Sequence, residues 1–261
     1  MTTKYLFTIF ILSNPLFAFT QTDKIISDRP SNSFVPYTIS KDYIQSETGF
    51  HLNSIKINST KRDRFITHPQ LLLKYGLLEN LELRTLTEFS SLYESNSYGD
   101  NNVTGLSNIQ IGAKYFMVKN KKWRPAIGVV AHYSFNNLRT NGLGKDTING
   151  ANLRVAFENR ITDKIALVYN AGITVERFGG RRTYVYSLSP RFQLDEDFNL
   201  FVELFGNAWK NRKPFNSLHS GLSYFVNDDL KLDAAIGIGF SKIYPDRFCS
   251  IGISYRFDSK Q

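Results

Sequence analysis

The feature that most constrains this chain is an alternation of apolar and polar residues, with a period of two, that recurs from about residue 42 to residue 257. A period of two marks a strand with two chemically different sides, and the i, i+3, i+4 spacing of an amphipathic helix is hard to find anywhere. After residue 63, Phe65, Thr67, Leu71, Leu73 and Tyr75 share one face, while Arg64, His68, Gln70 and Lys74 share the other. Leu81, Leu83, Phe89 and Tyr93 then oppose Glu82, Arg84 and Glu88. Late in the chain, Leu230, Leu232, Ala234, Ile236 and Ile238 oppose Lys231 and Asp233. The pattern predicts an all-β chain with strands near 42–57, 63–76, 80–93, 105–118, 124–136, 150–161, 164–178, 181–194, 197–209, 216–226, 229–241 and 246–257.

The connections between these strands fall into two alternating classes. Short turns are expected at Leu78-Glu79-Asn80, around Lys119 to Lys122, at Thr162-Asp163, at Asp195-Glu196-Asp197 and at Asn227-Asp228. The others are mostly longer: Asn58 to Arg62, Glu94 to Thr104, Asn137 to Asn149, the tight hairpin Gly179-Gly180, Lys210 to Phe215 and Lys242 to Pro245. An even number of antiparallel strands with short periplasmic turns and longer external loops is the arrangement of bacterial outer-membrane barrels. Periodicity alone leaves open whether the apolar side faces an interior core or lipid, because a soluble barrel alternates in the same way. Strand length, aromatic strand ends such as Tyr75, Tyr93, Tyr115 and Tyr133, and the two loop classes favour lipid.

Export fits that reading. Lys4 precedes the apolar run Tyr5 to Leu12 and a small-residue exit around Ala18, the layout of a cleaved secretory signal. The expected organisation is a signal peptide at 1–20, a periplasmic N-terminal segment at 21–41, a barrel at 42–257 and a short extension at 258–261. No later run of 18 residues is apolar and free of charge, and mean hydropathy is negative, so a helical membrane protein is excluded. The single cysteine, Cys249, rules out an internal disulfide. A net charge of +9 raises the question of nucleic acid, but export and the dispersal of the basic residues argue against that partner. The partners expected are outer-membrane lipid and lipopolysaccharide, the barrel assembly machinery and a small-molecule solute, with no cofactor.

Several strings, in order, carry a family likeness. They are Ser27-Asp28-Arg29-Pro30, Val35-Pro36, Tyr43-Ile44-Gln45-Ser46-Glu47-Thr48-Gly49-Phe50, Tyr75-Gly76-Leu77 with Asn80-Leu81-Glu82-Leu83-Arg84, Phe201-Val202-Glu203, Leu230-Lys231-Leu232-Asp233 and Gly252-Ile253-Ser254-Tyr255-Arg256-Phe257. Over nearly the whole mature chain this resembles the family called "Putative MetA-pathway of phenol degradation". The resemblance implies an exported outer-membrane barrel, a channel or transporter-like protein passing small solutes, hydrophobic or aromatic ones included. Two departures stand out: Ser27 occupies a position where the family often has Thr, and the chain runs on past Phe257.

The polar faces supply the candidate lumen lining: Glu82, Arg84, Glu88, Lys114, Arg154, Glu158, Arg160, Glu176, Arg191, Glu203, Lys231 and Asp233. Such charges either select solutes or cross-link a closed interior. Asp28 and Arg29, ahead of the first strand, are the candidate plug or gate: the segment lies on the periplasmic side or folds back into the lumen, where both could pair with lining charges. The four histidines, His51, His68, His132 and His219, show no metal spacing, and His68, His132 and His219 are read as polar lumen residues. No catalytic residue is assigned. The competing functions are a channel for small molecules, a structural barrel with a closed lumen, and a lipid-modifying barrel enzyme.

Overall fold

The computed structural model describes residues 24–56, 62–96, 99–178, 180, 182–240 and 245–260. The expected signal peptide, most of the 58–62 and 242–245 connections, and Gly179 with Arg181 of the glycine hairpin lie outside the described residues.

Twelve strands, each paired antiparallel with its neighbours in sequence, close into one barrel. They are β1 (Tyr43–Lys56), β2 (Arg62–Leu78), β3 (Leu81–Asn96), β4 (Gly99–Val118), β5 (Ala126–Ser134), β6 (Gly150–Arg160), β7 (Ile165–Val175), β8 (Arg182–Gln193), β9 (Phe198–Trp209), β10 (Arg212–Phe225), β11 (Leu230–Gly239) and β12 (Arg247–Asp258). The seam joins β1 to β12 in unbroken register from Tyr43↔Asp258 to Ser54↔Arg247, so the sheet has no free edge.

Side-chain exposure decides which face points out. Phe50, Leu73, Ile111, Leu188, Ile236 and Ile251 are 42–71% exposed, whereas Gln45, Glu47, Lys74, Glu82, Lys114 and Glu203 are fully enclosed. A soluble barrel would show the reverse, because exposing an apolar belt to water forfeits the main driving force of folding. The apolar outside and polar inside are those of a barrel solvated by hydrocarbon.

The two rims differ. The near rim, which carries the segment leading into β1 and the end of β12, has tight turns such as Glu79-Asn80 between β2 and β3. The far rim departs from expectation in two places. The connection expected at 94–104 is mostly ladder, with β3 and β4 paired up to Asn96↔Gly99. The one expected at 210–215 shrinks to Lys210-Asn211, with Asn211 at φ 66°, the left-handed conformation that asparagine tolerates in a hairpin turn. The β5–β6 connection is long and bends inward. Thr140 exchanges hydrogen bonds with Leu106 of β4, its N–H donating to the Leu106 carbonyl at 2.8 Å and its Oγ1 accepting from the Leu106 N–H at 2.9 Å. Arg139 reaches Asn108 at 3.2 Å.

A bulge corrects the face assignments in the first part of β2. In β2 the register shifts between Thr67 and Gln70, so that His68 and Pro69 together oppose Phe89. The extra residue reverses parity beyond it. Thr67, expected on the apolar side, turns inward and bonds Ser90 at 3.0 Å. His68, expected in the lumen, lies outside against the exposed Phe89, bonded to Ser91 at 2.7 Å.

Candidate functional site: the occupied lumen

Residues 24–42 run inside the barrel, and their contacts visit most of its wall. The Asp28 carboxylate sits among three cations on consecutive strands: Arg84 at 2.7 Å, Lys74 at 3.1 Å and Lys114 at 3.1 Å. Burial alone would raise its pKa, but Lys114, Lys74 and Arg84 outweigh that and hold the carboxyl well below the usual range. Glu47 completes the cluster. It pairs with Lys74 at 2.5 Å and accepts hydrogen bonds from the backbone N–H groups of Asp28 and Arg29.

Arg29 points to the seam. It pairs with Asp233 of β11 at 3.0 Å, donates to the Ile251 carbonyl of β12 at 3.0 Å, meets His51 of β1 at 2.8 Å and donates to Gln70 of β2 at 3.1 Å. Room for the guanidinium comes from Gly49 and Gly252, which face each other across the seam. A Cβ at either would lie 2.3–2.4 Å from Arg29 side-chain atoms. Small residues therefore occur where the inner segment touches the wall. Gly128 does the same for Pro36, whose carbonyl would stand 2.3 Å from an added Cβ.

Beyond Pro30 the segment keeps its polar groups satisfied by the wall, as a buried chain must. The N–H groups of Asn32 and Ser33 each donate to Glu203 at 2.8 Å, and Glu203 is also bonded to His219 and the Ser33 hydroxyl. Phe34 exchanges backbone hydrogen bonds with the Asn170 amide at 2.7 and 3.0 Å. The Tyr37 hydroxyl donates to Glu158 at 2.8 Å, and the Ile39 N–H donates to Glu82 at 3.0 Å.

The segment divides the interior. A cavity of about 920 Å³ opens at the near rim, lined among others by Glu79, Lys119, Glu158, Arg191 and Lys231. A second, of about 440 Å³, lies toward the far rim among His51, Gln110, His132, Arg154 and Phe248. Arg29, Pro30 and Ser31 border both, so this short stretch is the partition.

The sequence profile described as "Putative MetA-pathway of phenol degradation" matches residues 27–257, which spans the inner segment and the whole barrel. The chain belongs to that family. No curated protein matches this family member. Among solved structures it is similar to an outer membrane channel from Pseudomonas putida F1, at 13% identity and TM-score 0.69 over 87% of this chain and 100% of the other. It is also similar to the KdgM porin, at 13% identity and TM-score 0.53 over 81% and 99%. The translocator domain of the autotransporter NalP from Neisseria meningitidis gives 11% and 0.53 over 82% and 88%. At these identities the likeness is one of fold.

In this MetA-pathway family member the candidate residues separate by position. Glu82, Arg84 and Lys114 surround Asp28; Asp233 holds Arg29; Glu203 holds Asn32 and Ser33. Lys231 bonds the Ser27 hydroxyl and the Arg29 carbonyl, and Arg191 donates to Ser31 at 2.8 Å. Glu158 and Arg160 line the near cavity, Arg154 lines the far one, and Glu88 accepts from Gln70 at 2.6 Å and Asn108 at 3.1 Å. Glu176 falls just past β7, which ends at Val175, in the exposed connection at the far rim. Glu47 and Lys74 are central to the cluster but absent from the candidate lining. Their inward parity was the available signal.

Proposed function

We propose that the protein is an outer-membrane channel of a Gram-negative bacterium, passing small solutes through a lumen whose opening is set by residues 24–42. The observation that carries this is the pair of cavities, one toward each rim, that share Arg29, Pro30 and Ser31 as a common border. A barrel meant only to stand in the membrane has no need of two vestibules. The apolar exterior suits lipid and lipopolysaccharide, and assembly would use the barrel assembly machinery. With twelve strands both termini share a rim, which this reading assigns to the periplasm. The fold shared with an outer membrane channel and a porin supports the same conclusion and gives no support to a barrel enzyme.

A closed-lumen structural barrel is the second reading, favoured by the ion pairs that pin Asp28 and Arg29. Conductance of the refolded full chain in a planar bilayer separates the two. A channel shows small or intermittent conductance that rises several-fold in the double variant Asp28→Asn, Arg29→Ala. Silence from both proteins, each verified as folded and inserted, establishes the closed barrel.

A further inference from the structure

The far cavity has two unlike walls. On β5 and β6, Arg154 and His132 face it with unused hydrogen-bonding capacity: Arg154 Nε and His132 Nε2 are buried and have no partner, and His132 is 6% exposed. Arg154 also forms no ion pair among the described residues. Among the described residues its one hydrogen bond runs from Nη1 to the Asn32 carbonyl at 3.1 Å, and its guanidinium lies 4.9 Å from the centre of the Phe34 ring. Nearby charges differ. Arg29, Arg84 and Glu203 border or adjoin the same space, and each has a partner of opposite or complementary charge. Glu203 acts on Arg154 through space, but its oxygens are engaged by Asn32, Ser33 and His219, and a guanidinium that keeps free N–H capacity beside a cavity suits an anion.

The opposite wall is aromatic. Phe205 of β9, His219 of β10 and Phe248 of β12 form a cluster with ring centroids 5.0 to 5.8 Å apart, and all three line the cavity. β6 and β12 are six strands apart in a closed ring of twelve, so Arg154 and Phe248 approach from opposite sides. A volume of about 440 Å³ lies within the range of small-molecule pockets.

We propose that this cavity is a binding site for a small aromatic carboxylate, its carboxylate on Arg154 and His132 and its ring against Phe205, His219 and Phe248. The proposal rests on the channel reading and narrows its solute class. An aliphatic acid would use one wall and a neutral arene the other; only a ring bearing an anion uses both. The ligand would meet the partition formed by Arg29 to Ser31 directly, since that stretch floors the same cavity.

The test is equilibrium binding of benzoate to the full chain refolded in detergent, by calorimetry or ligand-observed NMR, with acetate and benzyl alcohol as comparators. Benzoate should bind saturably, with acetate and benzyl alcohol each about tenfold weaker or more, the scale of losing one charged or aromatic contact. Arg154→Gln should weaken benzoate by a similar factor while leaving benzyl alcohol unchanged. Arg154→Lys should retain most of the affinity. Phe248→Leu, on the far wall and away from the inner segment, should weaken benzoate and leave acetate unchanged. Equal binding of benzoate and acetate, no saturable binding, or indifference to both Arg154→Gln and Phe248→Leu overturns the site. Because no membrane is involved, a conducting barrel that ignores benzoate overturns this proposal alone. A silent barrel that binds it overturns only the channel reading.

Discussion

Asp28 and Arg29 are adjacent in the chain yet serve adjoining arcs of the wall that meet at β2, the first held by β2 to β4 and the second by β11, β12, β1 and β2. Deleting one charge from such a group leaves others buried and unmatched, which in other proteins costs roughly 3 to 5 kcal/mol. The sign of the pH effect follows from the depressed Asp28 carboxyl. Its contribution is complete above the ordinary carboxylate pKa and is lost only as pH falls through the lower, folded value. Conductance should therefore stay flat from neutral pH down through the usual carboxylate range and rise in stronger acid. Asp28→Asn should abolish the acid-dependent rise; a rise that persists in that variant places the acid response elsewhere. The outer face has its own test in Ile251, 61% exposed and near the middle of β12. Ile251→Arg should destabilise the barrel in lipid vesicles by roughly 2 to 4 kcal/mol, while Gln110→Arg, in the far cavity, should cost much less. Equal losses in reversible denaturant titrations would contradict the assigned faces. Parity counting could place these side chains in or out. It could not show that Arg29 meets Asp233, because a contact across 204 residues leaves no local trace.

Among the elements, the strands were legible because each needs an apolar side of period two where it meets the belt, and twelve such strands close the barrel. What periodicity missed was polar. Glu94 to Thr104 reads as a loop because it is rich in Asn, Ser, Asp and Gly, yet ladder hydrogen bonds between β3 and β4 make no demand on side-chain polarity where the strands rise above the apolar belt. The bulge in β2 had one signal, Pro69, whose missing N–H cannot serve a regular ladder. The β5–β6 connection allows a sharper test. Lys145 is exposed, whereas Arg139 is partly buried and bonded to Asn108. Limited trypsin digestion of the folded protein, followed by mass spectrometry, should show cleavage after Lys145 before Arg139. Thr140→Val removes the side-chain bond to Leu106 and should speed the cut at Arg139. First cleavage at Arg139 in the unmodified protein would mean that the connection does not bend inward.

For the molecule as a whole, closure and occupation of the lumen depend on one another. The niche that receives Arg29 is made by Gly49 and Gly252, one near the start of the barrel sequence and one near its end. Asp233, its ion partner, also lies in the last quarter of the chain. The niche therefore exists only after β12 has found β1. Arg29 precedes the barrel in the chain, yet its seat is complete only when the two ends of the barrel sequence have met. Before that pairing the guanidinium has a chain neighbour but no niche. The final strand pairing thus does two jobs at once: it removes the last open edge from the bilayer and creates the seat that turns an empty cylinder into a partitioned one.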